Sequence, residues 1–220
     1  MRKKKILTPP RNPRDDGNET KKILIETAGK LIAKQGFDKT SIKKICETLK
    51  INLSSINYHF GSRENLYLEV LRQVYKYFLS LDELKALEEK NLSPEEKIEK
   101  LFDLLIDAVK QKNNWKIRVW LRELISPSNF AKKMVAEEVL PKLNVVVKIF
   151  CDCTNLSADD SKLHACIISS IAPFFWMLLF QREEVKEIRE IIPMTYTKTE
   201  LLQTLKNLAL KNLKNLSPQE

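Results

Sequence analysis

From about residue 20 onward, apolar side chains recur at intervals of three and four, the spacing of one face of an α-helix. Strict apolar–polar alternation never persists long enough to predict a strand. The first predicted helix covers residues 20–35, with Leu24, Ala28 and Leu31 on one face and Gly36 as its stop. The second begins at Thr40 or Ser41, both good caps, and carries Ile42, Ile45, Cys46 and Leu49 at i, i+3, i+4 and i+7. Asn52 can cap a short third helix over residues 53–59. Gly61 then allows a turn, and Ser62 caps a long fourth helix with Tyr67, Val70, Leu71, Val74 and Phe78 as its stripe.

Residues 84–91 read as a polar connection. Ser93 and Pro94 open the next helix, a cap followed by the favoured first helical residue, and Ile98, Leu101, Phe102, Leu105, Ile106 and Val109 form its buried face. Further helices are expected over residues 115–125, 131–151, 158–180 and 200–214. Pro141 should kink or split the second of these. Leu201, Leu205 and Leu208 share one face of the last. The predicted fold class is therefore all-α, without internal repeats or a heptad array. The nearly apolar run 167–180 contains Pro173 and is shorter than a bilayer span, so it is expected as a core helix, and no membrane partner is expected.

Composition agrees. Of 220 residues, 43% are hydrophobic and 30% charged, which excludes a disordered chain. Only 4 glycines occur, which argues against phosphate-cradling loops. The net charge of +9 is uneven: residues 1–65 hold 15 Lys/Arg against 7 Asp/Glu, and the rest is nearly neutral. Such asymmetry suggests a polyanion-binding module joined to something else. Six of those cations lie in residues 1–14, so residues 1–18 are expected as a flexible basic arm. The basic start runs into Pro9, Pro10 and Pro13 rather than an apolar segment, so no secretory leader is expected. The four cysteines are too sparse for a disulfide framework, and a reducing cytoplasm fits them.

The informative unit is the pair of short helices over residues 40–60. Two such helices joined by a few residues make a helix-turn-helix, with Ile42, Ile45, Cys46, Leu49, Ile51, Ile56 and Phe60 as its core. Ser54, Ser55, Asn57, Tyr58 and His59 are left on or near the open face. Short polar and polar-tipped aromatic side chains there can approach base edges and phosphates.

The stretch Phe37-Asp-Lys-Thr-Ser-Ile-Lys-Lys-Ile, followed by Ile51-Asn-Leu-Ser-Ser-Ile-Asn-Tyr-His-Phe-Gly-Ser-Arg-Glu-Asn-Leu-Tyr, resembles the DNA-binding region of the TetR family of bacterial transcriptional regulators. The resemblance covers roughly residues 20–70 and is strongest from Ile56 to Leu66. It implies a DNA-binding domain over residues 19–66 and a ligand-binding and dimerisation domain over residues 67–220. Leu53, Ser54, Ser55 and Asn57 would face the major groove. Tyr58 and His59 would touch the backbone and groove edge. Thr40, Ser41 and Lys43 would meet one strand's phosphates, and Arg63 another phosphate. The implied partners are double-stranded operator DNA, a small-molecule effector and a second copy of the chain. The implied role is a repressor, paired through residues 158–180 and 200–214. Cys46 and Lys50 depart from the family's usual Ala and Gly, and Asn57 stands where many members carry Tyr, so operator preference does not transfer.

In the second domain, Trp115, Trp120, Phe174 and Trp176 are candidates to line a pocket for a largely apolar effector. Arg122 and Glu123, ahead of Ser126 and Pro127, resemble a feature of an efflux-associated branch of the family. The alternative chemistry is a metal or thiol sensor built from Cys151, Cys153, His164 and Cys166, although their spacing is not that of a zinc finger. A thiol enzyme on Cys166 and His164 is a more distant alternative. No dinucleotide, P-loop, zinc-protease or nucleophile-elbow motif occurs, and neither enzymatic activity nor a cofactor is expected.

Overall fold

The computed structural model describes residues 13–110, 114–180, 185–191 and 195–215, and all regular structure among them is helical. The helices are α1 (Pro13–Gln35), α2 (Ile42–Leu49), α3 (Leu53–Phe60), α4 (Arg63–Phe78), α5 (Leu81–Glu89), α6 (Pro94–Lys110), α7 (Trp115–Ile125), α8 (Ala131–Met134), α9 (Leu140–Thr154), α10 (Ser161–Phe180), α11 (Lys186–Ile191) and α12 (Lys198–Lys214). A π-helical turn, Val135–Val139, joins α8 to α9. The chain divides into two compact units, Met1–Val70 and Leu71–Glu220.

In the first unit, α1 begins seven residues before the expected start, with Pro13 as its first helical residue. Residues 13–18 are thus helical where an arm was expected; the remainder of that arm lies outside the described residues. Gly36, at φ 87°, ends α1 in the left-handed region that glycine enters without penalty. Leu24, Ile25, Ala28 and Ile32 of α1 are buried with Ile45, Cys46, Ile56, Phe60, Leu66 and Tyr67. Ile42, Leu49 and Ile51 are only half-buried. The Phe37 ring stacks on Tyr67 at a centroid distance of 4.3 Å.

In the second unit, α6 packs on α5, α9, α10 and α12. The expected face of α6 is buried in full. Phe102 of α6 stacks on Phe174 of α10 at 5.8 Å, at the centre of a core that also holds Phe150 and Leu202. Residues 81–89, expected mostly as connection, form α5: Ser80 and Glu83 make a reciprocal capping box, and Leu84 and Leu87 anchor the helix. On the Leu201–Leu205–Leu208 face of α12, Leu201 and Leu205 are half-buried against the core, while the fully buried row lies beside it. Leu202, Lys206, Ala209 and Leu213 make up that row, and Leu208 is 53% exposed. The Lys206 ammonium reaches Asp103 at 2.6 Å and Glu99 at 3.2 Å on α6, which offsets its desolvation.

Pro141 explains the π turn. It has no N–H to offer the Glu137 carbonyl four residues back, and its ring crowds that carbonyl. The backbone widens, and Leu140 N–H bonds to the Val135 carbonyl, five residues back. At 20 residues, α10 is long and apolar enough to cross a bilayer by length and composition, contrary to the expectation from its shorter apolar run. Here Leu163, Cys166, Ile167, Phe174, Met177 and Leu178 face the core.

Candidate nucleic-acid interface and effector cavity

The turn between α2 and α3 is set by its caps. Ser41 Oγ accepts from Lys44 N–H at 3.1 Å, and Asn52 Oδ1 accepts from Ser54 N–H at 3.3 Å. Lys50 closes α2 in the left-handed conformation, φ 55°, its N–H bonding to the Cys46 and Glu47 carbonyls. Ile56 and Phe60 turn α3 inward. Leu53, Ser54, Asn57 and Tyr58 therefore form its open face, with Tyr58 85% exposed. Ser55 and His59 are half-buried on the flanks, and the His59 ring meets Tyr58 edge-on at 5.0 Å. Lys43 and Lys44 on α2 are exposed. The N-terminal end of α2, beside Ser41, is a second element that favours anions through the helix dipole.

Two expected phosphate contacts have other work. Thr40 is only 2% exposed; its hydroxyl donates to the Gly36 carbonyl at 2.7 Å and accepts from Gln35 Nε2 at 3.3 Å. It fastens the α1–α2 connection and has no free face for DNA. Arg63 Nη2 donates to the Phe37 carbonyl at 2.6 Å, and the guanidinium lies 4.0 Å from the Phe37 ring centroid. One of its hydrogen bonds and its stacking surface are turned into the protein, and its buried Nε has no hydrogen-bond partner among the described residues.

The second unit contains a cavity of about 580 Å³, lined mainly by apolar side chains of α4, α6, α7, α9, α10 and the π turn. That volume suits a small organic molecule. Of the expected lining residues only Trp120 faces it; Phe175 beside it, at 5.0 Å between centroids, takes the place expected for Phe174. Phe174 and Trp115 are core, and Trp176 is 61% exposed and stacks on Phe180. Charged and polar residues that the sequence pattern did not single out complete the lining: Tyr75, Glu123, Glu138 and Lys142. Glu138 and Lys142 are one helical turn apart, whereas Tyr75 and Glu123 come from distant parts of the chain, and no motif links the four. Burial lowers the Lys142 pKa, with Glu138 opposing and Lys76 adding to the fall; burial and the Glu123 charge raise that of Tyr75.

The cysteine alternative is not supported. Among the described residues no group of His, Cys, Asp or Glu is arranged to hold a metal ion. His164 Nε2 is bonded to the Ala158 carbonyl at 2.8 Å. Burial pushes the Cys153 thiol up to about 11, with Glu95 and Cys166 adding to it, and burial also raises Cys151 and Cys166. Protonated thiols are poor ligands and poor nucleophiles.

Residues 24–70 match the family model described as bacterial regulatory proteins of the tetR family. Residues 94–205 match the C-terminal domain of the HTH-type transcriptional dual regulator CecR. The chain belongs to the TetR family. It is 31% identical over 91 residues to the uncharacterized HTH-type transcriptional regulator YuxN of Bacillus subtilis, a match spanning 41% of this chain and 31% of YuxN. It is 22% identical over 160 residues to IcaR, the negative transcriptional regulator of the biofilm operon icaADBC in Staphylococcus epidermidis, spanning 73% of this chain and 84% of IcaR. The fold is shared with the TetR-family regulator SCO4454 of Streptomyces coelicolor, at a TM-score of 0.65 and 13% identity over 91% of this chain and 97% of that one. Against the usual TetR pattern, Cys46 fits its site as a small buried residue, and Lys50 adopts the glycine-like backbone despite its side chain.

Proposed function

We propose that this TetR-family chain is a ligand-responsive repressor that binds a two-fold operator as a homodimer and leaves it when a small, largely apolar molecule fills the cavity. The open face of α3, carrying Ser54, Asn57 and Tyr58 beside Lys43 and Lys44, carries this reading. Short polar groups suit base edges in the major groove, and flanking lysines suit phosphates. Repression is favoured by relatives named as a repressor and a negative regulator. Exposed Trp176 and Leu208 on α10 and α12 support pairing through those helices. The continuous helix α4 holds Arg63 at its start and Tyr75 in the cavity lining, which gives a ligand a covalent route to the reading head.

Selection from random duplexes is expected to return inverted repeats spaced for successive major grooves on one face. Recovery of a single unrepeated site would overturn the dimeric mode. Effector control is tested by titrating a bound compound with and without operator. Linkage requires operator to weaken it by the factor with which it weakens operator, typically about 5–150-fold. Equal affinities would remove that compound as an inducer.

A further inference from the structure

We infer that the cavity of the second unit is incomplete in a single chain and is closed by α10 of a second copy, so that a ligand bound there tightens the dimer instead of dissolving it. The inference rests on the readings of this cavity as the effector site and of α10 as a pairing helix, and joins the two into one structure. Residues 163–180 contain no Asp, Glu, Lys or Arg. A fully buried helix needs no charge, but one face of α10 is not buried. His164, Ala165, Ile168, Ser169, Ala172 and Trp176 are exposed, at the three- and four-residue spacing of a single stripe. Ile168 is 65% exposed and Trp176 61%. On a chain that is 30% charged, a water-facing stripe without charge marks a surface that a partner covers.

The same stripe forms one side of the cavity's opening. Ile168 and Ala172 line the cavity and are exposed, and so do Leu124 of α7, Val135 of the π turn and Leu143 of α9. Residues that line a cavity and also meet water mark where it opens. A ligand held by one chain therefore keeps part of its apolar surface wet. A partner seated on the stripe from Ala165 to Trp176 covers Ile168 and Ala172, and with them that side of the opening. The occupant is a second copy rather than a bilayer. The opposite face of α10, with Leu163, Ile167, Phe174 and Leu178, is buried in the protein core, and His164 and Ser169 interrupt the outward stripe. Ala165, Ser169 and Ala172 are small enough for a like helix to approach closely, and a stripe that meets itself suits a two-fold axis. Covering the wet surface raises ligand affinity in the dimer, and linkage returns the same factor to the dimer. With two cavities per dimer, saturating ligand lowers the dimer dissociation constant by the square of that factor. A ligand that releases operator would thus rearrange a dimer, not separate it.

The test uses the full-length protein, the neutral fluorophore N-phenyl-1-naphthylamine, and sedimentation equilibrium over a dilution series. Probe affinity is expected to be at least about ten-fold higher for dimer than for monomer, and saturating probe to lower the dimer dissociation constant by about a hundred-fold or more. Trp176→Glu, outside the cavity lining, should give a monomer that is folded by circular dichroism and binds the probe at least about ten-fold more weakly than the parent dimer. Ala165→Glu should do the same, and takes its place if that variant does not fold. Equal probe affinity in monomer and dimer, no probe binding, a parent that is monomeric throughout, or folded variants that dimerise as tightly as the parent would each overturn the inference. Capture of the parent, but not of Trp176→Glu, by phosphatidylglycerol vesicles would also overturn it, by assigning the stripe to lipid. If probe and dimer are coupled as stated while the probe leaves operator affinity unchanged, the shared cavity stands and the effector reading falls.

Discussion

Arg63 clasps Phe37 twice: the guanidinium stacks 4.0 Å from the centroid of the ring and donates to the carbonyl of the same residue at 2.6 Å. Phe37 in turn stacks on Tyr67, so the start of α4 and the end of α1 are locked through one aromatic side chain. Arg63→Ala is expected to cost about 1–3 kcal/mol of stability from the lost stacking and charged hydrogen bond. Chemical denaturation should show that loss. Under conditions where the variant remains folded, the slope of log operator affinity against log salt should match the parent; a flattened slope would return Arg63 to the phosphate-contacting set.

Lys43 is the contrasting case, since it is exposed on α2. Lys43→Ala should weaken binding to all duplexes alike and reduce the salt slope by about 1, the signature of one lost phosphate contact. Asn57→Ala should instead alter the selected base at one position of each half-site, a change of about 1–3 kcal/mol. An unchanged selected motif would mean that α3 enters the groove by another face.

Lys50→Gly should stabilise the first unit. A side chain in the left-handed region costs roughly 1–2 kcal/mol that glycine does not incur, partly offset by glycine's greater freedom when unfolded. A rise in stability by a few tenths to about 1 kcal/mol is expected by urea titration, and Lys50→Ala should show no such gain.

Lys206 supplies a pH dependence. Burial alone would lower its pKa, but the hydrogen bonds and charges of Asp103 and Glu99 outweigh that and raise it above the ordinary 10.5. A lysine whose pKa rises on folding contributes stability that is complete below the unfolded value and lost as pH climbs through the folded one. The stability difference between the parent and Lys206→Met is therefore expected to be constant from pH 7 to 9 and to move in favour of the variant above about pH 10.5. A difference independent of pH across that range would exclude the charged pair as its source.

Caps and stripes were readable because they are local. Ser41, Asn52, Ser62 and Ser93 stand where the chain needs an acceptor for a helix's first N–H groups, and their helices begin there. α5 escaped because only Leu84 and Leu87 mark its buried face, although the Ser80–Glu83 capping box announced it. The fully buried row of α12 is hard to read from sequence because it includes a lysine; only the carboxylates of α6, distant in sequence, make that position tolerable. The open face of α3 was legible from periodicity, whereas the roles of Thr40 and Arg63 were not. A threonine beside a cap and an arginine at a helix start look alike in sequence whether they point to a phosphate or to a carbonyl. Trp120 alone survived from the aromatic candidates because aromatic content does not tell which ring faces a void and which fills the core.

The π turn at Val135–Val139 is, in helical terms, a single surplus residue parked in one wall of the cavity. Downstream, the burial of Val145, Val146, Ile149 and Phe150 pins the rotational setting of α9. A one-residue deletion within the turn would therefore be absorbed there, with the flanking helices keeping their rotational settings and only the residues of the turn itself, such as Val135, Glu138 and Val139, redistributed along the wall. The wall is thus a place where insertion and deletion, rather than substitution, can present a new set of side chains to a ligand while the hydrophobic core keeps its register.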